Sequence, residues 1–402
     1  MNAEKRHRFF RHDKCTLCGE CFTRCRYMDL TREEAILEIT RLINGEPTET
    51  VLQTCASCYS CDAFCREGAL PYELILERWD ERYRGKGLPE RAAYMLPHQQ
   101  PNYKEDMIGG MSSREKYLLA EWKRAAAKGE ILFPGCNLLT IPRLFDLDIF
   151  KALPVSGDWS LCCGEPYYRL GAFDVVEQIA KKLTAYYADK RISKMVFVCP
   201  ACMNMFRSVL PERFGARLDF ECEYIVPWLL RKIEAGALKI TNPLNRVVTV
   251  HDSCHGRVLG DEIMEQTREL YRILGLKIVE LKNHHENGLC CGIAAGCNRQ
   301  MPQDIVAVGN RELKEGEQTG ADEMAVYCGG CYLHLGIIGH ISRANQKLVH
   351  TLELVAEAIG EKMPRIIESR TRKMLINIIF KPLPKMLSLK RFKIEKIKVG
   401  PE

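Results

Sequence analysis

The chain has 402 residues, 46% hydrophobic and 27% charged, with a net charge of +6 and 20 cysteines. That length exceeds one typical core and predicts two or three domains. A mild positive excess concentrated at one end argues against nucleic acid as a partner, and no stretch reaches the roughly 20 apolar residues of a spanning helix. The first residues, MNAEKRHRFFRHDK, contain no apolar region of the secretory kind. A cytoplasmic setting with reduced thiols is therefore expected.

The first informative segment is CTLCGECFTRC, which places Cys15, Cys18, Cys21 and Cys25 at C-x2-C-x2-C-x3-C spacing, and CASCYSCDAFC repeats the spacing with Cys55, Cys58, Cys61 and Cys65. Runs of this kind wrap 4Fe-4S clusters, the fourth cysteine of each ligating the other cluster. The spacing predicts one cubane on Cys15, Cys18, Cys21 and Cys65, and another on Cys55, Cys58, Cys61 and Cys25. Structural zinc favours pairs of ligands separated by longer gaps. A disulfide framework belongs to short secreted chains.

Between the runs, Thr31 to Glu34 form a capping box ahead of Ile36, Ile39, Leu42 and Ile43, and Asn44-Gly45 gives the stop. After the second run Pro71 opens another helix, carrying Leu74, Ile75, Leu76 and Trp79 and ending before RYRGKG. Residues 1–84 thus read as an α-helical two-cluster ferredoxin. Residues 85–129, broken by Pro89, Pro97, Pro101, Gly109 and Gly110, read as a connector with a helix near Glu115 to Lys128 and no site of its own.

From Glu130 the pattern changes to short apolar runs that end in cysteine and are followed by helix-like segments: ILFPGC, MVFVCPAC, VVTVHDSCH and MAVYCGGC. Strands that deliver ligands at their carboxyl ends imply an open α/β layer with sites along one rim. The cysteines form a set that occurs twice. Cys136, Cys162-Cys163 and Cys199/Cys202 make the first copy; Cys254, Cys290-Cys291 and Cys328/Cys331 make the second. The CC pair and the CxxC motif are separated by 35 residues in one copy and 36 in the other, whereas the leading gap is 25 against 35. A shorter loop or helix in the first copy would account for that difference. Five thiolates exceed the four of a cubane or a tetrahedral zinc site, so each set suggests a distorted cluster with an open iron.

His251, Asp252 and His255 bracket Cys254, and His284 with His285 precede the second CC pair. Each can be read as a proton donor to a leaving thiolate, His255 foremost, or as a hydrogen-bonding or capping group. Asn137 and Glu165 are read only as hydrogen-bonding or capping groups. Cys222 and Cys297 are left over and fit buried free thiols. The tail, from Arg370 to Lys398, is basic, with Met374 to Ile376, Ile378 to Phe380, Leu383, Met386, Leu387, Leu389 and Phe392 interleaved and Pro382 and Pro384 interrupting. It either lies on an anionic membrane or a membrane subunit, or covers its own domain.

FPGC, CCGEP and CPAC in one repeat, with HDSCH, CCG and CGGC in the other, resemble the CCG-domain family. A ferredoxin module fused to two complete CCG repeats resembles the D-type subunits of heterodisulfide reductase and related membrane-linked redox proteins, over roughly residues 10 to 340. The resemblance implies two noncubane 4Fe-4S clusters beside the two cubanes. One would rest on Cys136, Cys162, Cys163, Cys199 and Cys202, and the other on Cys254, Cys290, Cys291, Cys328 and Cys331, with a disulfide substrate between them. It further implies an α+β multidomain fold whose CCG repeats, residues 130–240 and 241–360, are related by pseudo-two-fold symmetry, with 361–402 as tail. The implied activity is reduction or formation of a disulfide within an anaerobic redox complex on the cytoplasmic face of the membrane. The implied partners are a cytochrome b or quinone-reactive membrane protein, a flavoprotein, or both. The alternative is a non-catalytic relay between a flavin dehydrogenase or electron-transfer flavoprotein and a quinone-reactive membrane protein. Arg26 and Arg66 stand where bacterial ferredoxin runs carry proline, and a cation there favours the reduced cluster.

Overall fold

The computed structural model describes residues 7–125, 128–295, 301–381, 385 and 388–400. Cys297 and the tail residues Pro382, Leu383, Pro384, Met386 and Leu387 lie outside them. The fold mixes many helices with two small parallel sheets and one two-stranded antiparallel pair.

The N-terminal region is helical. Helix Arg32–Asn44 begins at the Thr31–Glu34 capping box and stops at Gly45, whose φ of 74° forms a left-handed cap. The side chain of Glu38 accepts backbone N–H groups of Glu49, Thr50 and Val51 at 2.9, 3.0 and 2.7 Å. It thereby fixes the start of helix Val51–Thr54, which runs straight into Cys55. Helix Pro71–Lys86 continues through the RYRG segment where the sequence suggested a stop. Burial of Tyr83 and the Arg84–Asp80 pair at 2.7 Å hold that extra turn, and Gly87 ends it. The connector is more ordered than expected. Asn102 caps a helix over Tyr103–Gly109, another spans Ser113–Arg124, and Lys128 opens a strand rather than closing a helix.

The strands β1 (Leu88–Pro89), β2 (Lys128–Phe133), β3 (Arg191–Phe197), β4 (Glu221–Tyr224), β5 (Val247–His251), β6 (Lys277–Ile278), β7 (Glu323–Val326), β8 (Lys347–His350) and β9 (Arg391–Phe392) make three sheets. One is β2-β3-β4 and another β6-β5-β7-β8, both parallel. An isolated parallel bridge between Leu132 and Val155 stands beside β2 as β6 stands beside β5. The two sheets thus share one strand order. The four cysteine-ending runs of the sequence are β2, β3, β5 and β7, and each delivers its cysteine at the carboxyl end. The ten-residue difference in leading gap also has a structural cause. After Cys254 the chain forms helices Cys254–Leu259 and Asp261–Ile273, whereas after Cys136 it makes only short 3-10 turns.

The tail folds back on the chain. Helix Ile367–Phe380 packs on helices Gly329–Ser342 and Tyr103–Gly109, and Arg370 pairs with buried Glu115. Strand β9 pairs with β1, and Ile394 and Ile397 are buried. The tail therefore covers its own domain. Ile376, Ile379, Phe380 and Leu389 remain exposed beside it. Among the described residues no helix is long and apolar enough to cross a membrane.

Replacing Glu38 by Ala strips three backbone N–H groups of a charged acceptor and is expected to cost about 3 kcal/mol. The measurement is the urea midpoint of anaerobically prepared protein, with Glu38→Gln falling between wild type and Glu38→Ala.

Candidate iron–sulfur centres

In both N-terminal runs the backbone does the same unusual thing. Leu17 and Gly19 flank Cys18 with φ of 55° and 79°, and Ser57 and Tyr59 flank Cys58 with φ of 59° and 61°. Three of these four residues carry side chains in a left-handed conformation that only surrounding structure can hold. Such turns aim backbone N–H groups at sulfur: Ser57 donates to Cys55 Sγ at 3.3 Å and Ala69 to Cys65 Sγ at 3.3 Å.

The thiols fall into two groups. Cys21 lies deep enough for burial to push its thiol up, and its nearest charged sulfurs are Cys15, Cys18 and Cys65. Burial pushes Cys25 up to about 12, with Cys58 as its sulfur neighbour, and Cys55 is raised by burial, Cys58 and Cys25 in turn. Cys61 is raised by burial, by Asp62, and by Cys55 and Cys58. Cys65 therefore lies with the first run and Cys25 with the second. Cys18 is exposed, which places the Cys15 group at the surface, whereas Cys55 and Cys58 are buried.

All ten cysteines of the repeated set are buried, and none of the described cysteines forms a disulfide. Cys136 Sγ and Cys162 Sγ are 3.6 Å apart. Cys163 interacts with Cys162 and Cys202, Cys202 with Cys199, Cys199 with Cys328, Cys328 with Cys331, and Cys331 with Cys291. Cys291 adjoins Cys290, and Gly292 N–H donates to Cys290 Sγ at 3.4 Å. The sulfurs of the two repeats thus form one continuous run joined at Cys199 and Cys328. Cys254 stands slightly apart, between Arg169 and Arg257. In each repeat the second cysteine of the CC pair is held toward thiolate by its sulfur neighbours, Cys163 at about 6 and Cys291 well below the usual range. Crowded buried thiolates without disulfides, served by backbone donors, are the donor set of iron–sulfur clusters.

Buried cations offset this negative charge, and sequence reasoning missed all of them. Arg169, 1% exposed, donates to Cys254 Sγ at 3.0 Å, to Glu165 at 2.6 Å and to the backbone carbonyl of Ser57. Arg257 donates to the carbonyls of Cys58 at 3.0 Å and Gly288 at 2.9 Å. Both side chains tie the Cys55 loop to the second repeat, and Tyr27 ties the segment after Cys25 to it, its hydroxyl accepting the N–H of Cys290 at 2.6 Å. Lys104, which the connector was not expected to supply, is buried against Cys136 and Cys162 and keeps its charge although burial opposes it. No motif marks these three; only the fold brings them to sulfur.

The polar candidates separate clearly. Burial works against the Glu165 carboxylate, but Arg169 and His255 hold it at about 2. His255 is buried with Nε2 at 2.9 Å from Arg169 and 3.0 Å from Glu165, and burial keeps it neutral. Asp252 is paired with Arg268 at 2.8 Å and receives the His285 N–H at 2.6 Å. His284 and His285 pair with each other at 2.6 Å, and His285 also meets Glu265. Asn137 accepts from Tyr103 Oη at 2.7 Å. Cys222 is partly buried on β4, away from the other sulfurs, and burial raises it to about 12.

A cavity of about 260 Å³ opens beside both repeats. Its lining includes the polar Lys104, Asn137, Glu165, Arg169 and His334 and the apolar Ile305, Val306, Ile337, Ile338, Ile341 and Leu375. His255 is not on its wall.

The family model for the cysteine-rich CCG domain matches residues 143–207 and again 248–336. Both stretches carry the CCG domain. The first match begins beyond Cys136, and the second contains all five cysteines of its repeat. The CCG protein is 26% identical over 389 residues to the D-type chain of the dihydromethanophenazine:CoB–CoM heterodisulfide reductase of Methanosarcina barkeri, covering 87% of this chain and 94% of that relative. It is 28% identical over 206 residues to the B-type chain of the fumarate reductase (CoM/CoB) of Methanothermobacter marburgensis, 51% of this chain and 40% of the relative. It is 26% identical over 171 residues to the EtfAB:quinone oxidoreductase of Syntrophomonas wolfei, 42% of this chain and 23% of the relative. The CCG protein thus resembles the heterodisulfide reductase chain along nearly its whole length and the others in part.

Arg169→Met retains the bulk and removes the cation. The expected result is a loss of about 3 to 5 kcal/mol, because Glu165 is left buried without its partner. The midpoint potential of an iron centre is also expected to shift negative, read by anaerobic redox titration. Adding Glu165→Gln should recover part of the stability and, by removing a nearby negative charge, move the potential part of the way back.

Proposed function

We propose that this chain is the iron–sulfur subunit of an anaerobic, membrane-linked redox complex, and that it reduces or forms a disulfide or heterodisulfide at its CCG repeats. The observation that carries the reading is the continuous run of nine buried sulfurs across two repeats, with buried Cys254 set slightly apart and a cavity beside it. A relay needs neither a second complete set nor a chamber. The metal assignment is two cubanes, on Cys15, Cys18, Cys21 and Cys65 and on Cys55, Cys58, Cys61 and Cys25. Two noncubane clusters rest on the five cysteines of each repeat, which are related by a pseudo-two-fold axis. The domains are 1–84, 85–129, 130–240, 241–360 and the tail.

When bound, such clusters supply one-electron transfers, two of which are consumed with two protons when one S–S bond becomes two thiols. The chain's own residues prepare that reaction. The isoleucines of the cavity hold the body of the ligand and exclude water. Lys104 and Arg169 stabilise negative charge developing on sulfur at the polar end. His334 lines the cavity with Nε2 free of any hydrogen-bond partner, which places an imidazole where a thiolate would be protonated. His255 acts through Glu165 and Arg169 beside Cys254. The exposed Cys15 group is the entry for a flavoprotein or cytochrome b partner. The basic tail and its exposed Ile376, Ile379 and Phe380 are the face for a membrane partner, with the chain on the cytoplasmic side.

Anaerobically isolated protein is expected to contain about sixteen irons per chain and to give a new paramagnetic species when titrated with a disulfide. Reversible reduction with no substrate-linked species would instead establish the relay between a flavoprotein and a quinone-reactive membrane protein. Ile341→Trp, at an exposed part of the cavity wall, is expected to lower kcat/KM for the disulfide about tenfold, some 1.4 kcal/mol, with iron content unchanged.

A further inference from the structure

We infer that His251 is a ligand to iron in the second repeat, giving that centre a nitrogen donor that the first repeat lacks. The inference rests on the reading of residues 241–360 as an iron–sulfur centre. His251 is the last residue of β5, three positions before Cys254, and it is 0% exposed. Its Nδ1 lies 2.6 Å from Oε1 of Glu312, itself 1% exposed on helix Pro302–Gln318. A carboxylate there accepts the Nδ1–H and fixes the tautomer, so the lone pair is on Nε2.

That nitrogen meets no oxygen or nitrogen partner, although a buried polar atom left unsatisfied is costly, and what it faces is the sulfur of Cys291. One ring nitrogen of His251 and the sulfurs of Cys291 and Cys331 all lie within 4.8 Å of one another. Metal–sulfur and metal–nitrogen bonds of about 2.3 and 2.1 Å at a tetrahedral ion put such donors about 3.6 to 3.8 Å apart, so a modest inward movement closes the three on one metal. Carboxylate, imidazole and metal in line form the arrangement by which proteins commonly orient a metal-bound histidine.

The first repeat offers nothing equivalent. Phe133 stands at the same position, three residues before Cys136 at the end of β2, and its ring packs on Phe197 and Phe206 at 5.6 and 5.3 Å. Two repeats with matching cysteines and one strand order therefore differ at a single donor. The imidazole adds to the five thiolates rather than replacing one, so it supplies a nitrogen donor without further negative charge. The second centre, which meets the Cys58 loop through Arg257 and the segment after Cys25 through Tyr27, is then the one with mixed nitrogen and sulfur donors.

The test is pulsed EPR on the full chain, isolated anaerobically with its iron counted, once with natural histidine and once with 15N-histidine. The expected spectrum has a strong hyperfine coupling of the directly bonded kind from nitrogen, converted to the 15N pattern by the label. It is lost in His251→Ala and kept in His255→Ala and Glu312→Gln. His251→Cys is expected to retain iron and shift one midpoint potential negative. Full iron with only weak couplings, as from N–H donation to sulfur, or a strong coupling that survives His251→Ala, overturns the assignment and leaves the iron–sulfur reading intact. Zinc in place of iron overturns both. If His251→Ala does not fold, loss of the coupling in His251→Cys takes its place.

Discussion

The structure is governed by one electrostatic problem: many thiols, ten of them buried in the repeats, brought within a few ångströms of one another in a medium that screens charge poorly. Like charges so placed repel strongly, and burial alone drives most of these thiols toward the protonated form. A bound metal would relieve part of this. The protein relieves more with cations that are themselves buried, Lys104 beside Cys136 and Cys162, Arg169 beside Cys254, and Arg257 between Cys58 and Cys290. The two arginines are in turn satisfied by carbonyls or a carboxylate, since an unpaired guanidinium would cost as much as it relieves.

The same contacts join the parts of the molecule. Arg169 comes from the first repeat, meets Cys254 of the second, and donates to Ser57 of the N-terminal region. Arg257 and Tyr27 make the complementary connections between the second repeat and the loops around Cys58 and Cys25. Charge compensation and domain assembly are one set of bonds. The N-terminal region consequently meets the repeats on a defined face, with the Cys25/Cys55 group inward and Cys18 exposed.

The repeats show how a duplicated frame diverges. The shared strand order and the cysteines at the carboxyl ends of β2, β3, β5 and β7 keep the sulfurs in register. Around that frame, the helices after Cys254 give way to 3-10 turns after Cys136, and His251 gives way to Phe133. These exchanges leave the ligand spacing intact while changing the polarity on either side of it. The cavity, with its isoleucine walls and its charged end, lies where the two halves meet.

The sequence by itself determined what is local or periodic. Cysteine spacing is set by how a short loop wraps around metal, the Thr31 capping box by one turn of helix, and the four cysteine-ending strands by runs of apolar residues. All of these are visible in the order of residues. The RYRG turn of helix Pro71–Lys86 was misjudged because Tyr83 is held by tertiary burial that outweighs local propensity. Lys104, Arg169, Arg257, Tyr27 and Glu312 lie from a few dozen to more than two hundred residues from partners that they touch. Only the tertiary structure decided their roles, because a charge acquires its meaning from the groups within a few ångströms, and the chain order does not specify those.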